Sequence, residues 1–553
     1  MKASRLVAGL LVGIMMVSTV GCSKAPESVG NGGDSQEAGT TSQAGSDVEI
    51  DPNKTYDISY YGWWCEEYKP GNHVEQLISD ALNINIEVPK LGNDEAINLA
   101  LASGDMPDCG WFGKSPEYMH DQELVRTIPV EMVKKYAPNF IKIYEENPVL
   151  YASTLNAEDN TQFDYLTGIT LQFVDYYLPN DYYRYDWILD LGIDLGVNVE
   201  QISDNIYVAD DGITVDKFKE IMEKFVHNDP DGNGKADTVG VNAPSLTQGP
   251  FFSAFGFRGG VNNVDGKAVQ WYATPGYKEY LKFFAQMYAE GLVDPEIITE
   301  NRNISWERVN KNEAGYWITS TNSLNSWAVE RPPLSLIRNN PDVKILMTPG
   351  IKPEGGEVQA SVASSPGYGN FYVNANVDDE KLAKILQFVD YCLFGETRAS
   401  HFFGEEGVDW KWDGDMPVKI NQLPSGEKGT WSFSQHGQDA EVTKWTSYEP
   451  MFEAGLKYWA KEANGSWMKF QHPNYKEDIR RETNYAELNA EYSGEINAYI
   501  STYRTECILG KKDVDATWDD YMAELDRLGY NEIMAELDKL DPLEDIIAEY
   551  STK

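Results

Sequence analysis

The sequence is short of basic residues, of cysteine and of long apolar runs. Lys and Arg together number 46 against 88 Asp and Glu, which gives a formal net charge of −42. Nucleic acids and anionic membrane surfaces would be repelled by this charge, so the composition excludes them as general partners. The five cysteines and six histidines follow no zinc, redox or zinc-protease spacing. The sequence also contains no P-loop and no G-x-S-x-G nucleophile elbow.

The N-terminus carries the pattern of an export signal. Lys2 and Arg5 precede an apolar run, Leu6–Val17, which is too short to span a bilayer because a spanning helix needs roughly 20 apolar residues. Small residues then lead to Cys22, as they do before the lipid-modified cysteine of lipoproteins. We expect residues 1–21 to be removed and Cys22 to carry the lipid that holds the protein on the extracellular face of the cell membrane. The alternative is an ordinary cleaved signal followed by an incidental cysteine.

A polar linker separates the signal from a globular body. Residues 22–52 are rich in Gly, Ser, Thr, Glu and Gln and predict a flexible stalk, since they cannot bury enough apolar surface to fold. The remaining residues, roughly 500, exceed what one hydrophobic core usually serves, which predicts two lobes. Aromatic residues make up 12% of the chain. Tryptophan in an exported protein suits sugar binding, because an indole stacks on the apolar face of a pyranose.

Strands and helices alternate in the first part of the body. Extended runs and helical patterns follow one another at Tyr56–Trp64, Val74–Leu82, Ile84–Val88, Glu95–Ala102 and Asp108–Phe112. This alternation predicts a parallel sheet covered by helices, and ligands bind at the carboxyl ends of such strands. Those ends carry aromatic side chains that are candidate ligand contacts, with core packing as the alternative: Trp63, Trp64 and Trp111.

Three later segments have the apolar periodicity of helices that pack one face on a core. They are Val215–Val226, with Thr214 available as N-cap, Gly276–Glu290 and Glu380–Leu393. Cys65 follows one predicted strand and Cys109 lies at the start of another, so a disulfide between them is geometrically feasible; buried free thiols are the alternative.

The strongest chemical motif is an oxygen-rich loop after the first of these helices. Oxygen side chains at loop positions 1, 3, 5 and 9, a glycine at 6 and a backbone carbonyl at 7 suit the flexible oxygen cage of Ca²⁺. Gly240 stands at position 12, where an EF-hand has Glu, which indicates a structural site. A metal-free Asx-rich turn is the alternative, although three aspartates without a cation would repel one another. The predicted ligands are Asp229, Asp231, Asn233, the Lys235 carbonyl and Asp237.

Several separated segments resemble extracellular solute-binding proteins, the receptors of ABC importers. They are Leu101–Asp108 (LASGDMPD), Arg184–Gly192 (RYDWILDLG), the loop that begins at Asp229, Glu290–Glu296 (EGLVDPE) and Phe403–Trp410 (FGEEGVDW). The greatest resemblance is to the large lipoprotein branch that includes the alginate-binding receptors. It implies a two-lobed α/β fold of the periplasmic-binding-protein type II class, with the ligand in an interlobe cleft, structural Ca²⁺ in one lobe and no catalysis.

The resemblance also implies that the chain crosses between the lobes more than once. We expect lobe 1 in residues 53–170 and 351–420, and lobe 2, with the calcium loop, in residues 171–350. Residues 421–553 are expected to be mainly lobe 2, with a helical C-terminal part. Candidate ligand contacts near the expected crossings are Tyr183, Arg184 and Trp410. Core packing of the aromatic residues and an ion pair within one lobe for the arginine are the alternatives.

The sequence thus predicts a monomeric, lipid-anchored receptor that captures an oligosaccharide and delivers it to the permease subunits of an ABC transporter. Two alternatives stay open. An exported glycoside hydrolase would need two carboxylates at a fixed separation, and among 88 acidic residues some pair always qualifies. A surface glycan-binding or adhesion lipoprotein would need no transporter.

Overall fold

The computed structural model describes residues 48–62, 68–92, 94–156, 158–169, 179–242, 249–257, 259–297, 302–320, 332–356, 358, 367–421, 445 and 483–551. The predicted signal, Cys22 and most of the linker lie outside these ranges, as do Trp63, Trp64 and Cys65. Within the described part, no helix is long and apolar enough to cross a membrane.

The strands are β1 (Tyr56–Tyr61), β2 (Ile84–Glu87), β3 (Cys109–Trp111), β4 (Ile128–Pro129), β5 (Gln162–Phe163), β6 (Leu166–Ile169), β7 (Pro179–Arg184), β8 (Val199–Gln201), β9 (Ile206–Ala209), β10 (Ile213–Thr214), β11 (Val261–Val264), β12 (Lys267–Gln270), β13 (Tyr316–Ser320), β14 (Ile345–Thr348), β15 (Ile351–Lys352), β16 (Gly367–Val373), β17 (Trp410–Asp413) and β18 (Met416–Lys419).

The helices are α1 (His73–Leu82), α2 (Asp94–Ser103), α3 (Pro116–Asp121), α4 (Val130–Tyr136), α5 (Pro138–Glu146), α6 (Pro148–Thr154), α7 (Tyr185–Asp190), α8 (Val215–His227), α9 (Gly249–Ala254), α10 (Pro275–Ala289), α11 (Arg302–Asn310), α12 (Leu334–Asn339), α13 (Asp379–Phe394), α14 (Arg398–Phe403), α15 (Thr483–Ile508), α16 (Val514–Arg527), α17 (Tyr530–Leu537) and α18 (Leu543–Ser551).

The first sheet has the strand order β2-β1-β3-β16-β6. β1 runs parallel to β2 and to β3, as the alternation of strands and helices predicts. β16 comes from a much later part of the chain and runs antiparallel to β3 and β6. Helices α1, α4, α5 and α13 pack on this sheet around a core that includes Ile58, Phe140, Phe371 and Leu386. The parallel sheet is therefore confirmed for its first three strands, and its other two strands make it a mixed sheet.

The second sheet has the strand order β13-β7-β14-β9-β8. Only β9 and β14 pair in parallel, whereas β7 is antiparallel to both of its neighbours. Successive side chains of β7 point to opposite faces, so Tyr183 joins the large core formed with α8, α10 and α15–α17, and Tyr182 joins a smaller core with Trp317. Both faces of this sheet are covered.

Helix α8 forms because its sequence satisfies both a cap and a core. The Thr214 hydroxyl accepts a hydrogen bond from the Lys217 backbone N–H, which caps the first turn as predicted. The side chains of Phe218, Ile221 and Phe225 recur at helical spacing and are buried against the second sheet.

The cores of the two sheets share no residue, which gives the two-lobed α/β architecture. The C-terminal helices α15, α16 and α17 belong to the core of the second sheet. Helix α18 instead contacts α6, through Leu543 and Ile546 against Val149 and Ala152. Among the described cysteines, Cys109, Cys392 and Cys507 are buried free thiols.

Candidate functional site

β9 and β14 run parallel, so their carboxyl ends lie at the same end of the second sheet. The antiparallel strand β7 begins at this end, and its Asp181 stands directly opposite Thr348 of β14. Asp181 is fully buried, and its Oδ1 accepts a hydrogen bond from the Tyr316 hydroxyl. Its Oδ2 has no hydrogen-bond partner among the described residues. Burial raises the pKa of Asp181 to about 7 against the lowering effect of the Tyr316 hydrogen bond.

In the first sheet, Trp111 lies at the carboxyl end of β3. This side chain is 2% exposed, and its ring lies 6.1 Å from that of Phe371 in an edge-to-face arrangement. Gly369 lies against the same ring with φ +69°, and a Cβ there would stand 2.4 Å from the indole. Only glycine fits this position, because both the close approach and the left-handed backbone exclude a side chain.

Tyr183 and Arg184 are held by their own lobe. The Tyr183 ring is buried 5.0 Å from the ring of Tyr316. The Arg184 guanidinium donates from Nε to Asp186 Oδ1 at 2.9 Å and from Nη2 to Asp186 Oδ2 at 2.7 Å, a bidentate pair. It also stands 4.5 Å from the centre of the Trp187 ring. These contacts match the ion pair that the sequence left open as the alternative, and a role of either residue in ligand binding stays a prediction.

The hairpin β17–β18 carries an aromatic cluster. Trp410 is 1% exposed, and its Nε1 donates to the Gly404 carbonyl at 2.8 Å. Trp412 is 41% exposed and rests edge-on against Trp410 and Trp445, with ring centres 5.0 and 5.5 Å away. An exposed indole fixed by two others is a ready surface for stacking. The sequence predicts Trp410 as a contact but not Trp412, which lies one residue before the end of β17.

The predicted calcium loop begins at Asp229, two residues after the end of α8. Asn233 Nδ2 donates to Asp231 Oδ2 at 2.7 Å and to Asp237 Oδ1 at 3.2 Å. Asp229 Oδ1 and Thr238 Oγ1 are buried and have no partner among the described residues. No group of three or more His, Cys, Asp or Glu side chains in the described ranges is placed to hold a metal ion. The donor set and the two unpartnered buried oxygens fit a hard cation, although the carboxylates are not gathered around one point.

Known proteins resemble the chain over most of its length. No protein-family model matches it. The fructooligosaccharide ABC transporter substrate-binding protein FusA of Streptococcus pneumoniae is 22% identical over 479 residues, which cover 80% of this chain and 81% of that protein. Lipoprotein LipO of Bacillus subtilis is 24% identical over 371 residues, 65% of this chain and 67% of that protein.

Solved structures of binding proteins also match the chain. The alginate-binding protein AlgQ2 without calcium ion matches with a TM-score of 0.64 at 16% identity, over 88% of this chain and 98% of that one. FusA of S. pneumoniae in complex with kestose matches with a TM-score of 0.64 at 20% identity, over 90% and 99%. The chain has the fold of the extracellular solute-binding proteins. The two-lobed fold and the resemblance that the sequence predicts are thereby confirmed.

The predicted contacts that the structure describes differ little in exposure. Trp111, Tyr183 and Trp410 are buried against protein neighbours, and the Arg184 side chain is paired within its lobe. Trp412, two residues after the predicted Trp410, is 41% exposed. Both curated relatives are named as a binding protein or a lipoprotein rather than as enzymes.

Proposed function

We propose that the protein is the substrate-binding component of an ABC importer and captures an oligosaccharide between its two lobes. The observation that carries the proposal is the likeness, over 80% of the chain, to a relative named as a fructooligosaccharide ABC transporter substrate-binding protein. The two α/β sheets with separate cores supply the lobes between which such a ligand would lie. The net charge of −42 favours a neutral or weakly charged sugar.

Calorimetric titration of the mature chain with a panel of fructose-, glucose- and mannose-based oligosaccharides tests this proposal. We expect one saturable binding event, a more compact particle in small-angle scattering, and intact sugar after prolonged incubation. Shortened sugars in the mass spectrum would instead identify a glycoside hydrolase, and tight binding of peptides alone would reject the proposal. Uptake of the labelled sugar should fail in cells that lack the chain; unchanged uptake would favour an adhesion role.

The proposed ligand contacts are the residues named from the sequence, with Trp412 added. Its exposed indole supports stacking on a sugar ring. The buried members of the set would shape the walls behind the ligand rather than stack on it. The full set is Trp63, Trp64, Trp111, Tyr183, Arg184, Trp410 and Trp412.

We propose that the loop from Asp229 binds one structural Ca²⁺ through Asp229, Asp231, Asn233, the Lys235 carbonyl and Asp237. The unpartnered buried Asp229 Oδ1 supports this assignment. The names of two matched structures also support it, since one is AlgQ2 without calcium ion and the other an EF-hand mutant of FusA. Bound Ca²⁺ would neutralise the loop carboxylates and hold the loop rigid.

The proposed location is the extracellular face of the cell membrane, where the lipid on Cys22 anchors a monomer. The short apolar run before Cys22 and the polar linker after it support this location. Metabolic labelling with palmitate should mark the wild-type chain and leave Cys22→Ser unlabelled and released from the cell. Labelling of both chains would contradict the proposed anchor.

A further inference from the structure

Lys384 is a buried cation that lacks an anionic partner in the described part of the chain. It lies on α13 and is 8% exposed. Its ammonium donates to the side-chain oxygen of Gln387 at 3.2 Å and stands 5.5 Å from the centre of the Tyr56 ring. No carboxylate among the described residues lies within ion-pair distance of its nitrogen. Burial accordingly lowers the pKa of Lys384.

The acid best placed along the helix is already engaged. Glu380 precedes Lys384 by one turn, a spacing at which opposite charges usually pair. Its carboxylate instead accepts from the Lys54 ammonium at 2.5 Å and from the Tyr56 hydroxyl at 2.6 Å. Two of the three N–H groups of Lys384 therefore have no acceptor among the described residues. The Gln387 amide nitrogen, three residues further along α13, has no partner among the described residues either.

Both groups line an open groove between α1, α5 and α13. The groove has a volume of about 380 Å³, which falls within the roughly 300–1,000 Å³ of small-molecule sites. Tyr136, Tyr391 and Phe394 give it an aromatic wall. The groove thus places an ammonium and an amide N–H group, each with donor capacity that no described residue uses, beside an apolar surface.

The groove also contains one carboxylate, that of Asp390. It accepts from the backbone N–H of Asn139 at 2.9 Å and of Phe140 at 2.8 Å, and from Asn139 Nδ2 at 2.9 Å. These three bonds disperse its charge at the first turn of α5. The carboxylate of Glu380, one turn away, is paired with Lys54, and salt screens charges beyond a Debye length of about 10 Å at 0.1 M, so an anion at Lys384 would be little repelled.

We propose that this groove binds a small carboxylate with a flat apolar body. The carboxylate oxygens would accept hydrogen bonds from Lys384 Nζ and Gln387 Nε2, and the apolar body would lie against Tyr136, Tyr391 and Phe394. This site is separate from the proposed sugar site and does not depend on it. The bound carboxylate would form a charge-assisted hydrogen bond with the Lys384 ammonium, which no carboxylate of the described residues does.

Calorimetric titration of the mature chain with 4-hydroxybenzoate tests the proposal. 4-Hydroxybenzamide has the same flat ring without the charge and serves as the matched neutral probe. We expect saturable binding of the acid only. Lys384→Met should weaken it by about tenfold or more, since a charge-assisted hydrogen bond is lost. Lys142→Met, an exposed lysine of α5 outside the groove, should leave it unchanged.

Gln387→Leu keeps the ammonium and removes the second donor, so it should weaken binding several-fold. It also keeps the test decisive if Lys384→Met does not fold, which circular dichroism would show. Equal affinity of the wild type and both groove variants would place the probe elsewhere and overturn the proposal. Absence of binding to the wild type, or equal binding of the acid and the amide, would overturn it as well.

Discussion

Replacement of Asp181 by Asn should change how the stability of the protein depends on pH. In the folded chain the pKa of this carboxyl is about 7, against its ordinary value of 3.8, because the group is buried. Below pH 4 the carboxyl is protonated in both states and imposes no penalty. Between pH 4 and 7 the unfolded chain gains from ionisation while the folded chain does not, so the free energy of unfolding falls as pH rises. Above pH 7 the loss is complete.

The size of this loss follows from the same pKa. Each pKa unit corresponds to about 1.4 kcal/mol, so a rise from 3.8 to about 7 costs about 4 kcal/mol in full. The sequence pI of about 4.4 makes acidic solutions unsuitable for titration. Of this total, about 2.5 kcal/mol of the free energy of unfolding is lost between pH 5 and pH 8. Asn keeps an oxygen for the Tyr316 hydroxyl and carries no charge, so Asp181→Asn should escape this loss.

Urea unfolding followed by tryptophan fluorescence at pH 5 and pH 8 measures the effect. The stability of Asp181→Asn relative to the wild type should rise by about 2.5 kcal/mol across this interval. Tyr316→Phe removes the hydrogen bond that favours the ionised carboxylate, so it should steepen the pH dependence. The exposed Asp204→Asn controls for the charge change. A relative stability of Asp181→Asn that stays constant from pH 5 to pH 8 would refute the reasoning.

Three further predictions concern the metal loop and the aromatic residues. Chelation should lower the melting temperature of the wild type but not of Asp231→Ala, since a hundredfold excess of Ca²⁺ over its dissociation constant stabilises by roughly 3 kcal/mol; equal melting of the wild type with and without chelator, and no calcium by elemental analysis, would contradict the site. Trp410→Ala should cost roughly 3–5 kcal/mol in urea unfolding, whereas Trp412→Ala should weaken sugar binding with little change in melting; the reverse pattern would exchange their roles. Gly369→Ala should lower stability by roughly 1–3 kcal/mol, because its Cβ would meet the Trp111 ring; an unchanged urea midpoint would count against this packing.

The helices could be predicted from the sequence because their signals are local. The pattern at Val215–Val226 predicts α8 to within one residue at its end, and the pattern at Glu380–Leu393 predicts α13 to within one residue at each end. In both, the apolar spacing of 3.6 residues lies within the segment and the N-cap side chain, Thr214 or Asp378, lies just before it. Strand order is different, since it depends on distant partners. Nothing within Gly367–Val373 indicates that β16 joins β3 and β6 in antiparallel pairing.

Exposure of the site residues could not be predicted for the same reason. Trp410 and Trp412 are two residues apart in one strand and have the same local pattern. Trp410 is buried because it packs against Phe403 and donates to the Gly404 carbonyl, whereas Trp412 contacts only the edges of two other indoles among the described residues and stays 41% exposed. A strand pattern assigns side chains to a face, but only the tertiary neighbours decide which of them a ligand can reach.

Among the described residues, Arg184 and Lys384 are the buried cations, and they differ in whether the protein supplies an anionic partner. A buried cation is costly unless it is paired, and Arg184 has a bidentate carboxylate, an amide oxygen from Asn312 and a stacked indole. A chain with 88 acidic residues and 46 basic ones has carboxylates in excess for this purpose. Lys384 nevertheless has none among the residues that the structure describes, while Glu380, one turn away, pairs with Lys54 and Tyr56. A leucine or methionine would fill the same space on α13 without the penalty of a buried charge. The groove that Lys384 lines is where the proposed carboxylate ligand would supply the missing anion.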